Sequence, residues 1–80
     1  MAEVIAPIIK KSIDDCNNAD TGYYSFAVAP TNSPATDGGI LLCIKSFPMI
    51  FQLYMSDAYG LFYRHKWYNN AWMGWVNVRS

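Results

Sequence analysis

From Gly22 onward the chain places apolar and aromatic residues at a spacing of two, in short runs separated by proline, glycine and small polar residues. That pattern restricts the fold more than any other feature, because a period of two lays side chains on alternate faces of an extended strand and cannot build a helix. Over residues 22–29, Tyr24, Phe26 and Val28 share one face, while Tyr23, Ser25, Ala27 and Ala29 share the other. Residues 30–39 hold two prolines, two glycines and small polar residues, and read as an exposed loop without core. Residues 40–45 are an apolar run suited to a strand buried on both faces or capped by a neighbour. Phe47-Pro48 interrupts it, since proline offers no donor to a ladder. Residues 50–55 and 61–66 then form a hairpin over the turn Ser56-Asp57-Ala58-Tyr59-Gly60, whose glycine can take a positive φ. A polar aromatic connection, Trp67-Tyr68-Asn69-Asn70, leads to a last strand over 71–78. The fold class expected is mainly β, a small antiparallel sheet or sandwich.

The start of the chain differs. Val4, Ile5, Ile8, Ile9, Ile13 and Cys16 lie along one face of a helix that would begin near Pro7, because proline suits a first turn and disrupts an interior. About ten helical residues are marginal alone in water and must pack on something. Residues 1–19 are therefore read as a helical or stalk lead-in, and residues 20–80 as the β domain.

At 80 residues the chain buries only roughly 60–65% of its unfolded surface, so it calls for a disulfide, a metal or a partner chain. Two cysteines, Cys16 and Cys43, make no disulfide framework, and the apolar surroundings of Cys43 suit a free thiol. His65 is the single histidine, and no metal-ligand spacing is present. Association of copies is the route left. Six Lys plus Arg against six Asp plus Glu leave no basic stripe for a phosphate backbone, which disfavours nucleic acid. No apolar run approaches the ~20 residues of a membrane span, and the first residues lack the basic-then-apolar order of a signal peptide.

No catalytic set emerges from one histidine, an Asp14-Asp15 pair and no phosphate or nucleophile motif. The module is read as non-enzymatic and free of cofactors and metals. Gln52 lies between Phe51 and Leu53 and must find hydrogen-bond partners or cost on the order of 1–3 kcal/mol, so a cross-strand amide bond is expected. Arg64 falls opposite it across the hairpin and can stack on Trp72 or Trp75. Those two indoles, three apart, lie on opposite faces of a regular strand and closer together in a bulged one. Gln52, Arg64, Trp72 and Trp75 are accordingly structural. Trp67, Tyr68, Asn69 and Asn70 join flat aromatic faces to amides, a combination suited to a sugar surface and equally to a loop folded over the end of the fold. Tyr59 and Asp57 form a second patch in the hairpin turn.

The order Asp20-Thr21-Gly22-Tyr23-Tyr24, a Pro/Gly-rich loop, an apolar strand, a Gln-centred strand, Phe62-Tyr63-Arg64 and Trp72-x-x-Trp75 resembles the knob-like C-terminal domains of tail fibres in phages and R-type pyocins. Over about residues 20–78 the order matches, although the opening lacks that family's proline and Met73-Gly74 replaces its usual Ser-Ala. The resemblance implies a homotrimeric fibre tip carried on the virion and made in the host cytoplasm. It would join the rest of the tail fibre and attach to a bacterial surface polysaccharide or outer-membrane protein, without inserting into the membrane. The competing class is a fibre-trimerisation or virion decoration module that touches no receptor. A carbohydrate-binding module attached to an enzyme is a weaker third.

Overall fold

The computed structural model describes residues 10, 11 and 13–78, and within them the chain is one six-stranded sheet. The strands are β1 (Lys10–Lys11), β2 (Gly22–Val28), β3 (Asp37–Ser46), β4 (Met49–Ser56), β5 (Gly60–Trp67) and β6 (Val76–Asn77), and they lie side by side in chain order. β2 to β6 form an antiparallel meander, while β1 adds to the edge parallel to β2. There is a single sheet where a sandwich was admitted as an alternative.

Of the helix expected from near Pro7 to Cys16, residues 7–9 and 12 lie outside the described residues. Where that stretch is described it is not helical: Lys10–Lys11 is strand, and Cys16–Asn18 is a single 3-10 turn capped by Asp15, whose carboxylate accepts from the Asn17 N–H at 2.9 Å. The turn serves the sheet directly. Cys16 and Ala19 are buried in the same core as Tyr24, Leu41, Cys43 and Tyr54, so the chain just ahead of residue 20 already belongs to the β domain's interior.

Register explains which face is core. Tyr24, Leu41, Tyr54 and Phe62 stand in one cross-strand row, and Gly22, Cys43, Gln52 and Arg64 in the next. Over these rows lie the 3-10 turn, Ala35 and the segment ending in Trp75. Tyr54 stacks on Phe26 with ring centroids 6.3 Å apart and meets the edge of Trp75 at 6.2 Å. Buried tyrosine hydroxyls need partners. That of Tyr24 donates to the Asp20 carbonyl at 3.0 Å, and that of Tyr54 to the Asp37 carbonyl at 3.2 Å. Burial pushes the Tyr54 hydroxyl up to about 12, and the Cys16 thiol up to about 11.

Two sequence readings need correction here. The stretch 30–39 carries structure: Asp37, Gly38 and Gly39 open β3, Pro30 is buried, and Ala35 packs on the core. The glycines had marked a loop, but their role is close approach. A Cβ on Gly38 would fall 2.1 Å from the Phe26 carbonyl oxygen, and one on Gly39 2.1 Å from that of Met55. The last strand is likewise shorter than 71–78. Only Val76 and Asn77 pair with β5, and residues 71–75 leave the sheet. Gly60 does take a positive φ, 94°, and closes the β4–β5 hairpin.

Asp37 pins that hairpin to the start of β3. Its carboxylate accepts from the Ser56 hydroxyl at 2.7 Å and from the Ala58 N–H at 3.2 Å. The Ser56 hydrogen bond holds the Asp37 carboxyl below its ordinary range against opposing desolvation, with further help from the Ala58 N–H. The Asn32 amide and the Asn17 N–H do the same for Asp15.

Two predictions follow from these environments. Cys16 and Cys43 are free, fully buried, and hold their protons more tightly because of burial, so neither should react with a thiol reagent at pH 8 until the chain unfolds. Prompt native-state labelling of either, read by mass spectrometry, contradicts the core described here. A carboxyl whose folded pKa is depressed contributes stability that is present above its unfolded value near ~3.9 and lost as pH falls through the folded value. The melting temperature should therefore drop as the pH falls below about 4, and Asp37→Asn should flatten that acid limb. An unchanged limb removes Asp37 as its source.

Candidate functional site

Two kinds of feature could serve function: a buried polar cluster on the covered face, and aromatic side chains left in solvent. The first begins with Arg64, which β5 aims into the covered face and which is 5% exposed. Among the described residues no carboxylate forms an ion pair with it. Its Nε donates to Gln52 Oε1 at 2.8 Å, and its Nη2 donates to Asn17 Oδ1 at 2.8 Å. The guanidinium carbon lies 4.0 Å from the ring centroid of Trp72 and 4.5 Å from that of Trp75. Burial lowers the arginine's pKa, with weak opposing help from Cys16 and Asp15. Amide acceptors and two π faces thus do the work that water does for a surface arginine.

Gln52 completes the arrangement. Its amide donates to the Cys16 carbonyl at 2.7 Å and contacts Cys43 Sγ at 3.6 Å, while its oxygen accepts from Arg64. The register puts Gln52 directly opposite Arg64 and beside Cys43, so the polar atoms of three strands and the 3-10 turn meet under one pair of indoles. Trp75 is held in turn by its Nε1, which donates to the Asn32 carbonyl at 2.9 Å. Because residues 71–75 arch off the sheet, Trp72 and Trp75 reach the same guanidinium instead of lying on opposite faces of a strand.

The solvent-exposed candidates occupy two separate places. Trp67 is the last residue of β5, paired with Met49, and Tyr68 follows it into the turn. The Tyr68 N–H donates to the Pro48 carbonyl at 2.7 Å, and the Asn70 N–H to the Trp67 carbonyl at 3.0 Å. This draws in Phe47, which the sequence reading passed over: its ring meets Tyr68 edge-on at 5.2 Å and is 80% exposed, the most exposed of the large hydrophobic residues. The signal for it lay in Phe47-Pro48, where a bulky ring sits at a strand break with no ladder to fold against. Asn69 and Asn70 are exposed beside these rings.

Asp57 and Tyr59 lie at the other end. The hairpin runs from Met49 opposite Trp67 to Ser56 opposite Gly60, which separates the two patches by roughly 24 Å at the usual strand rise. Tyr59 is also tied down, its hydroxyl accepting from Thr36 Oγ1 at 3.3 Å and its carbonyl from Asn77 Nδ2 at 3.2 Å. The structure therefore brings Trp67, Tyr68, Asn69, Asn70 and Phe47 together, and leaves Asp57 and Tyr59 apart from them.

Among the described residues no group of three or more His, Cys, Asp or Glu is placed to hold a metal ion, and no helix is long and apolar enough to cross a membrane. No family model, curated protein or solved structure matches the chain.

The buried cluster yields a direct test. Arg64→Lys retains the charge but loses the planar fork that reaches Gln52 and Asn17 together. It should cost about 1–3 kcal/mol, read as a lower urea midpoint by tryptophan fluorescence. A midpoint within error of the parent would show that the fork does not hold the fold.

Proposed function

We propose that the chain is a non-catalytic receptor-binding tip of a phage or phage-tail-like fibre, assembled as a homotrimer and attaching to a bacterial surface polysaccharide or outer-membrane protein. The observation that carries this reading is the cluster at one end of the sheet: Phe47, Trp67 and Tyr68 in solvent, with Asn69 and Asn70 alongside. Large rings left in water cost hydration free energy without strengthening the core, and grouped exposure of this kind marks interaction surfaces. Flat rings stack on the apolar faces of sugars, and the amides offer both donors and acceptors to hydroxyls. The turns that carry these residues can vary without disturbing the buried rows beneath. A single such patch would bind weakly, whereas three copies on one trimer convert weak contacts into firm attachment through effective concentration.

The order of motifs similar to tail-fibre knobs supports the same reading, and the lean core of an 80-residue chain supports assembly. A fibre-trimerisation or virion decoration module remains the second reading, favoured by one observation: no described element packs on the opposite face of the sheet, which is apolar and would serve assembly whether or not a receptor is bound.

Tyr68→Ala with Asn69→Ala separates the two. Both side chains are exposed, and surface changes usually stay within about 0.5 kcal/mol, so the melting temperature should move by no more than a few degrees. Oligomer mass should not change, and adsorption to host cells should be lost. If the double variant melts markedly lower, or adsorbs like the parent, the cluster is a structural seal and the receptor reading fails.

A further inference from the structure

We infer that the recess beside the arch of residues 71–75 takes an acidic sugar, whose carboxylate Arg64 receives. The recess holds about 560 Å³ and opens between the 3-10 turn at Asn17, the turn at Asn32 and Ser33, and the arch with Trp72 and Trp75, with Arg64 of β5 lining it. Arg64 is 5% exposed, yet its donors are not all used. Nε and one hydrogen of Nη2 go to Gln52 and Asn17, whereas Nη1, with both of its N–H groups, meets no acceptor among the described residues. A buried donor without an acceptor is costly, and more so on a charged group. The amides at the rim are left half-used in the same way. Asn17 Oδ1 accepts from Arg64, and its Nδ2 has no acceptor among the described residues. Asn32 Nδ2 donates to Asp15 at 2.9 Å, and its Oδ1 has no donor among them. Each amide is oriented by the bond it makes, so Asn17 holds out a donor and Asn32 an acceptor.

Three features set the chemistry of the ligand. The first is charge. Lys66 Nζ lies 5.4 Å from the ring centroid of Trp72, the indole that Arg64 approaches at 4.0 Å, and among the described residues no carboxylate pairs with either cation. The Asp15 carboxylate beside them is already taken up by the Asn17 N–H and Asn32 Nδ2. An oxyanion is therefore favoured, since it accepts charge-assisted hydrogen bonds from Nη1. A carboxylate brings one negative charge, which this partly balanced pair of cations matches better than the larger charge of a phosphate monoester. The second feature is the walls: Trp72 and Trp75 are half-buried and offer apolar surface to the C–H groups of a ring. The third is the pair of amides, a donor and an acceptor, which suits hydroxyls because each hydroxyl is both. A carboxylate carried on a hydroxylated ring uses all three.

This inference rests on the reading of the chain as a fibre tip for a bacterial polysaccharide, and adds the charge that polysaccharide would carry. Ala71 also lines the recess, one residue past Asn70, so a glycan could run from the exposed rings into it. Arg64 then serves the fold through Nε and Nη2 and the ligand through Nη1.

Titration of the isotope-labelled whole chain with methyl glucuronide and methyl galacturonide, read by NMR on the Arg64 Nε–H and the indole N–H signals, tests the inference. The expected result is a saturable shift of the Arg64 and Trp72 signals with that of Trp67 unmoved. Methyl glucoside, which lacks the carboxylate, and acetate, which lacks the ring, should each bind at least about tenfold more weakly. Lys66→Glu should weaken uronide binding at least about tenfold by setting a like charge at the same indole. Gly74→Leu should weaken it too while the urea midpoint holds, since a Cβ at Gly74 meets no atom within 4 Å and the added side chain stands at the lining of the recess. If one variant fails to fold, the other and the parent's titrations decide. No shift with either uronide would overturn the inference, as would shifts confined to Trp67. Glucoside or acetate binding as tightly as the uronides would also overturn it, because the charge or the ring would then go unread, and so would tighter binding of glucose phosphate. Cell adsorption separates the two readings: a chain that adsorbs to bacteria and ignores both uronides loses this inference alone, and one that binds a uronide and adsorbs to no cells loses the receptor reading alone.

Discussion

A guanidinium taken out of water is among the more costly things a small protein can bury, and this sheet is organised around one. Arg64 is acceptable in the core because Gln52 and Asn17 accept its hydrogen bonds and two indoles offer it their faces. Each of those partners comes from a different part of the chain: Gln52 from β4, Asn17 from the 3-10 turn, Trp72 and Trp75 from the segment that leaves the sheet. Satisfying one cation therefore ties β4, already paired on both sides, to two pieces outside the ladder, the 3-10 turn and the segment of Trp72 and Trp75. Gln52 extends the same logic, since its amide holds the carbonyl of Cys16 and so keeps the turn over the sheet. Stability, register and the covering of one face are here a single polar arrangement under an aromatic lid.

The surface ion pair shows what this arrangement is not. Lys45 and Asp20 meet at 2.9 Å with both side chains largely in solvent, where such a pair adds little. The Asp20 hydrogen bond raises the Lys45 pKa, but screening keeps the effect local. One face of the sheet is closed by the polar cluster and its indoles, no described element packs on the other, apolar face, and solvated aromatics gather at the end of the sheet beside Pro48.

Much of the strand order was legible in the alternation. Tyr24 and Phe26 on one side of β2, the hairpin between β4 and β5, its glycine with positive φ and the pairing of Gln52 with Arg64 all follow from a period of two and one turn. The misread stretches share a cause. Glycine and proline mark a loop at 30–39 in the sequence, whereas Gly38 and Gly39 let neighbouring backbones come close, and the last strand expected over 71–78 begins only at Val76, after Trp72 and Trp75. In both places a residue type has two physical uses, and local sequence does not say which. Phe47 was passed over because exposure is a property of the folded surface and not of a residue's hydrophobicity.

By itself, the sequence determined the class of fold and the inward set of side chains, because strand periodicity is local and each residue's face is settled by its neighbours' spacing. It also required a partner for Gln52, since no amide is buried without one. Tertiary structure alone decided that Trp72 and Trp75 converge on one guanidinium, and that Asp57 and Tyr59 lie a hairpin's length from Tyr68. Those are relations between residues far apart in the chain, and they arise from how strands stack and where a segment leaves the sheet, which no spacing within a strand encodes.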